Sequence, residues 1–178
     1  MNEDLVRTIW IIAIAATIFI IYVVYVCVSF YFMHNFKKRI ENGRQAINVV
    51  LYQKFQTLDT VSDLLIKIGY DNPKLIEFDK LDEFKKYTKI DAKDFEGVFN
   101  YSEGIYMLVK SVCVNLKRSD DLDDIKALLK TIDSLNYKYF ESIQLYNTNI
   151  VGFNYWRNLF FTKWIKVLFR KDEMDTIK

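Results

Sequence analysis

Side chains able to do chemistry are few and scattered in this 178-residue sequence. His34 is the only histidine, and no second His or Cys lies near it, so it reads as an interfacial residue rather than a ligand. Cys27 and Cys113 have neither metal-binding nor redox spacing and read as small buried hydrophobes in a reducing compartment. Asp120, Asp121, Asp123 and Asp124 form a dense acidic run. It lacks the Gly turn and the distal Glu that a calcium loop requires. Carboxylates in "DEFKKYTKIDAKDFE" and "SDDLDDIK" fall in helix starts or among lysines, where capping and solubility account for them. There is no Gly-rich phosphate loop, Ser-x-x-Lys, Gly-x-Ser-x-Gly or histidine dyad, and a di-iron bundle needs more than one histidine. No catalytic residue, metal site or cofactor is expected.

One polar pattern stands apart. In "YNTNIVGFN", Tyr146–Asn147 is followed seven residues later by Phe153–Asn154. Seven residues are almost two helical turns, so both pairs face the same way on a helix. Tyr146, Ile150 and Phe153 fit a core seam, and each asparagine lies at its border. Two readings follow: hydrogen bonds across the seam that fix helix register, or a polar patch that recognises a partner.

The elements that must position these residues are helical. Half the chain is apolar, with one Pro and five Gly, which suits long uninterrupted helices better than sheets. From Thr8 to Asn35 there is no charge, and Ile9–Met33 is almost wholly apolar, more than the ~20 residues that span a bilayer. The run is too long for a signal-peptide core, and neither a basic segment before it nor a small-residue cleavage site after it is present. Residues 1–7 are then a short N-terminus, 8–35 a retained transmembrane helix, and 36–178 the remaining domain. Lys37, Lys38, Arg39 and Arg44 follow the span, whereas Glu3, Asp4 and Arg7 precede it. The positive-inside rule puts the N-terminus outside and the rest in the cytoplasm of a single-pass plasma-membrane protein.

Beyond the span, Ile47, Leu51, Phe55, Leu58, Val61, Leu65 and Ile68 recur at threes and fours, so the membrane helix is expected to continue, with Gly43 a tolerated weak point. "GYDNPK" from Gly69 ends it. A short helix over 75–87 follows, then a helix capped by Asp91 with Phe95, Val98, Phe99, Ile105, Leu108, Val109, Val112 and Leu116. A last long helix, capped by Ser119 or Asp120, carries the seam Leu122, Ile125, Leu128, Ile132, Leu135, Tyr139, Ile143, Tyr146, Ile150 and Phe153. The expected fold is all-α: one N-terminal transmembrane helix continuing into an antiparallel, coiled-coil-like cytoplasmic bundle.

The tail "RNLFFTKWIKVLFRK" gathers Phe160, Phe161, Trp164, Ile165, Val167 and Leu168 on one helical face and Lys163, Lys166 and Arg170 opposite. That distribution suits either a helix closing the bundle or one lying on an anionic bilayer surface. Three cations on one face and a net charge of +2 argue against nucleic acid. The stretch from Lys37 to Gly69 reaches roughly 50 Å beyond the membrane as a helix. If the helix from Asp91 returns, the last helix ends at the membrane-distal tip, and Phe160, Trp164 and Leu168 pack there against the bundle or a partner.

Tyr146, Asn147, Ile150, Phe153 and Asn154 form a signature that resembles the LemA family of bacterial membrane proteins, with Phe153 where the family usually has Tyr. Phe160 falls on the Phe of a family Phe-Pro pair, whose Pro is Phe161 here, and Trp164 to Phe169 falls on its closing segment. A family motif in the first bundle helix survives faintly: Leu51, Lys54, Phe55 and Leu58 align, while Gln56 and Asp59 replace its Asp and Pro. The resemblance implies one N-terminal membrane helix followed by a helical bundle, and no generally established enzymatic activity. The expectation is a membrane-anchored, non-enzymatic interaction or scaffold protein of the bacterial envelope, engaging the lipid bilayer and protein partners or a second copy of itself. The alternative is a membrane-active accessory, in envelope stress or lysis, that uses residues 157–171.

Overall fold

The computed structural model describes residues 3–70, 90–115, 121–159, 174, 176 and 177. Three α-helices carry the described residues: α1 over Glu3–Lys67, α2 over Phe95–Asn115 and α3 over Asp121–Asn158. A 3-10 turn, Ala92–Asp94, leads into α2. No strand occurs among the described residues. The expected helix over 75–87 and the Ser119 or Asp120 cap lie outside them.

α1 is one unbroken helix of 65 residues. Its stop follows from Gly69, whose φ of 85° is a left-handed conformation that costs glycine little. The Gly69 N–H donates to the Ile66 carbonyl at 2.9 Å and the Tyr70 N–H to the Leu65 carbonyl at 3.0 Å. These two bonds are a Schellman closure, and Tyr70 packs in the cluster that contains Leu65. Asp91 precedes the 3-10 turn, but its side chain makes no capping bond. Its backbone carbonyl accepts from the Asp94 N–H instead.

The chain divides into two compact units: Met1–Ile40 with Thr148–Asp175, and Glu41–Asn147 with Thr176–Lys178. Within the second unit, helices meet along the expected stripes. Phe55 and Leu58 pack with Tyr106 and Ile132, while Val61 and Leu65 pack with Val109, Val112 and Ile125. Residue numbers therefore rise together along α1 and α2 and fall along α3. Ile90 donates its N–H to Asn48 Oδ1 at 3.3 Å. The chain leaves α1 at Tyr70 and resumes beside Asn48, roughly 33 Å back along the helix. α2 therefore runs beside α1 in the same direction.

Within the first unit, the Phe32 and Trp156 rings stack at 4.6 Å and 9°. Gly152 faces the Phe36 ring so closely that a Cβ there would lie 2.6 Å from it. This overturns the expectation that α3 ends at a membrane-distal tip: its end lies beside the close of the apolar stretch. The expectation took α2 as the return leg and so assigned every later leg the wrong direction.

One helix, α1, is long and apolar enough to cross a membrane, with a mean hydropathy of 2.8 over its most apolar window and none of that window buried. Ile9, Trp10, Ile18 and Phe19 are all exposed. Cys27 is exposed too, contrary to its reading as a buried hydrophobe, and Cys113 is half-buried.

Candidate functional site

The α3 seam places its residues as their spacing demands. Tyr146, Ile150 and Phe153 are buried, and Asn147 and Asn154 stand half-buried beside them. Among the described residues the asparagines bond to the C-terminal segment and not across to α1 or α2. In the second unit, Asn147 Nδ2 donates to the Ile177 carbonyl at 2.7 Å, and the Ile177 N–H donates to Asn147 Oδ1 at 2.9 Å. In the first unit, Asn154 Nδ2 donates to the Met174 carbonyl at 2.8 Å, and the Met174 N–H donates to Asn154 Oδ1 at 3.3 Å. Each amide thus closes a two-bond ring with the N–H and C=O of a single residue near the C-terminus. Only a side chain with both a donor and an acceptor on one planar group can do this; Asp would supply acceptors alone.

A second polar cluster lies inside the second unit, and sequence reasoning missed it. Lys54 is fully buried and forms an ion pair with Glu103. Glu103 also accepts from Asn136 Nδ2 at 2.7 Å, while the buried Asn136 Oδ1 has no hydrogen-bond partner among the described residues. The Lys54 ammonium sits 4.1 Å from the Phe99 ring centroid, and Phe99 stacks on Tyr139 at 4.1 Å and 6°. Burial lowers the Lys54 pKa, opposed by the hydrogen bond and charge of Glu103. Nearby, Tyr106 donates its hydroxyl to Asp133 at 2.6 Å, and Lys110 donates to the Tyr106 oxygen at 3.4 Å. Burial, then the bond to Asp133, raises the Tyr106 pKa. Burial, with Glu96 adding to it, pushes Tyr139 up to about 12.

The cluster is a buried charge enclosed by its partners. Lys54 is sealed under Phe99, and its partners are the Glu103 carboxylate and an aromatic face. A sequence signal for it existed: Lys54 interrupts the apolar spacing of Leu51, Phe55 and Leu58. Its burial needed Glu103, which no local pattern connects to it.

Phe160, Lys163, Trp164, Lys166 and Arg170 lie outside the described residues. His34 is exposed. Among the described residues no group of three His, Cys, Asp or Glu side chains could hold a metal ion. No family model matches the chain, and neither a curated protein nor a solved structure matches it.

Proposed function

We propose that this chain is a single-pass, membrane-anchored, non-enzymatic interaction or scaffold protein of the bacterial cell envelope, a divergent relative of the LemA family. The observation that carries this reading is the change of environment along α1. Its first half exposes apolar side chains on every side, and its second half buries a stripe that includes Ile47, Leu51, Leu58 and Leu65. One continuous helix would thus carry a helical bundle directly from a bilayer span. The exposed Lys37, Lys38 and Arg39 immediately after the span favour a cytoplasmic bundle.

Impermeant thiol labelling of cells expressing Cys27→Ala tests it, since Cys113 then reports alone. Cys113 should stay unlabelled in intact cells and react only after permeabilisation under unfolding conditions. Labelling in intact cells would reverse the orientation, and release of the protein from membranes by alkaline carbonate would remove the anchor.

A specific contact also favours the second reading, a membrane-active segment 157–171. The Phe32–Trp156 stack starts this segment beside the end of the apolar stretch, within reach of a bilayer surface. With Trp10 and Trp156 both changed to Phe, Trp164 alone reports in the reconstituted protein. A blue shift in anionic relative to neutral bilayers that fades with salt supports lipid contact; identical spectra dismiss it.

A further inference from the structure

Within the first unit, the environment of α1 changes at a definite level. From Thr8 to Val24 every side chain is exposed. Further on, Ser29, Met33 and Ile40 are buried, with Phe36 half-buried among them. Spacings of three and four put these residues on one helical face. α3 meets α1 at this level: Gly152 abuts the Phe36 ring, and Trp156 stacks on Phe32. On α3, Ile150 and Phe153 are buried, whereas Val151 and Tyr155 are exposed. Four aromatic rings form a continuous row across the two helices. Tyr31 meets Phe32 edge-on at 5.8 Å, Phe32 stacks on Trp156 at 4.6 Å, and Trp156 meets Tyr155 edge-on at 5.9 Å.

The charge beside this row is one-sided. No Asp or Glu occurs between Thr8 and Ile40, or between Thr148 and Leu159. Lys37, Lys38 and Arg39 are exposed, and none makes an ion pair among the described residues. Consecutive helical residues are about 100° apart, so the three cations surround the sides of α1 that α3 leaves uncovered. The Arg39 guanidinium lies 5.9 Å from the Phe36 ring centroid, which holds it level with Gly152. Along α1 the next carboxylate, Glu41, is already paired with Arg44.

We propose that the row of four rings and the collar of Lys37, Lys38 and Arg39 form a binding surface for anionic glycerophospholipid, the cations on its phosphate and the rings beside its glycerol. On the reading that α1 spans a bilayer, on which this surface depends, the dimensions agree. The rise from the exposed Trp10 to the exposed Tyr31 is ~31 Å, against a hydrocarbon core of ~30 Å. Aromatic rings favour both edges of that core, which puts the four-ring row at one of them. Lys37 follows Tyr31 by ~9 Å of rise, so its ammonium reaches the phosphate layer. Three cations without a carboxylate nearby leave a charge that anionic headgroups neutralise and zwitterionic ones do not.

The test reconstitutes the full chain into vesicles of dibrominated lipid, because bromine quenches indole fluorescence on contact. Trp10, Trp156 and Trp164 are changed to Phe, and Tyr155→Trp places the only indole in the row. Brominated phosphatidylglycerol should associate with this face at least threefold better than brominated phosphatidylcholine at the same mole fraction. The preference should vanish when Lys37, Lys38 and Arg39 are changed to Gln, and should weaken at ~0.5 M salt. The salt series uses the cations as they stand and so does not depend on how the triple variant folds. A second protein keeps Trp10 as its only tryptophan and reports the span itself. Quenching of Trp10 with none at position 155 overturns the proposal and leaves the span standing. Equal quenching by the two lipids at position 155, or a preference indifferent to salt and to the three cations, overturns the anionic site. No quenching at either position removes the span, and the lipid surface with it.

Discussion

The two halves of α1 are continuous in backbone and opposite in environment. Around Ile18 the helix is apolar on all sides and exposed on all sides; around Leu51 it is apolar on one stripe and buried there. Mean hydropathy reaches 2.8 in the first half, whereas the second half is set apart by the spacing of its apolar residues at threes and fours. A helix with no polar face asks for a solvent with no polar face, and a helix with a stripe asks for partner helices. The lesson extends to Lys54, a charge inside the stripe, which is buried because Glu103 and Phe99 receive it.

The largest test of that contrast is truncation in each half. Leu51→Ala should lower stability by about 3 kcal/mol in a thermal or denaturant melt of the purified protein, from lost transfer and an unfilled cavity. Ile18→Ala should leave the same melt unmoved, because that side chain packs against no protein. An equal cost at both positions would mean that the first half is covered by protein and not by lipid.

Glu103→Ala should cost nearly as much, about 2–3 kcal/mol. It leaves the buried Lys54 ammonium without its carboxylate, and the figure allows for a Glu103 side chain that is 24 % exposed. Lys54→Met in the same background should recover most of that loss, because the unpaired charge goes with it. Failure of Lys54→Met to recover stability would show that Glu103 acts through Asn136 alone.

Two glycines compare the units directly. A Cβ at Gly152 would lie 2.6 Å from the Phe36 ring, and one at Gly43 would lie 3.3 Å from Tyr146. Gly152→Ala should therefore destabilise by about 1–2 kcal/mol, rescued in part by Phe36→Leu. Gly43→Ala should be near neutral, its crowding offset by a gain in helix propensity of about 1 kcal/mol. Equal effects would place the tight crossing elsewhere.

Alkaline titration probes the stacked interior. Tyr139 holds its proton up to about 12 in the folded chain but only to about 10 when unfolded. Between those values the folded state binds more protons, so stability should fall as pH rises through that window, at up to ~1.4 kcal/mol per pH unit. Tyr106 and Tyr146 are raised in the same direction and add to the fall. Lys54 is lowered and opposes it, since its neutral form is the one burial favours. Tyr139→Phe should flatten the fall measurably; an unchanged slope would assign it to the other tyrosines.

The smallest effect is expected at the asparagines. Asn147→Ala and Asn154→Ala should each cost about 1 kcal/mol or less, because their partners are tail backbone that water can solvate once freed. Hydrogen exchange should show the Ile177 amide losing protection in the first variant and the Met174 amide in the second. Loss of protection at neither amide would break the clamp description.

Much was legible from local pattern. The spacing at threes and fours named Ile47, Leu51, Phe55, Leu58, Val61 and Leu65, and all are buried. Gly69 marked the end of α1, and the structure supplies both bonds of its closure. The border position of Asn147 and Asn154 was correct, while their partners were not foreseen. A tail residue 30 positions from Asn147 leaves no periodic trace near it. Asp91 was placed at the correct boundary, but the helix starts through a backbone bond rather than a side-chain cap.

Composition and period are properties of consecutive residues, so helicity, the apolar span, the buried stripes and the glycine stop could be read from the chain alone. The direction of each leg, the burial of Lys54 against Glu103, the stack of Phe32 on Trp156 and the capture of Met174 and Ile177 all join residues far apart in sequence. Closing such loops costs an entropy that grows only slowly with their length. Many pairings are therefore similarly affordable, and only the simultaneous packing of all three helices selects one of them.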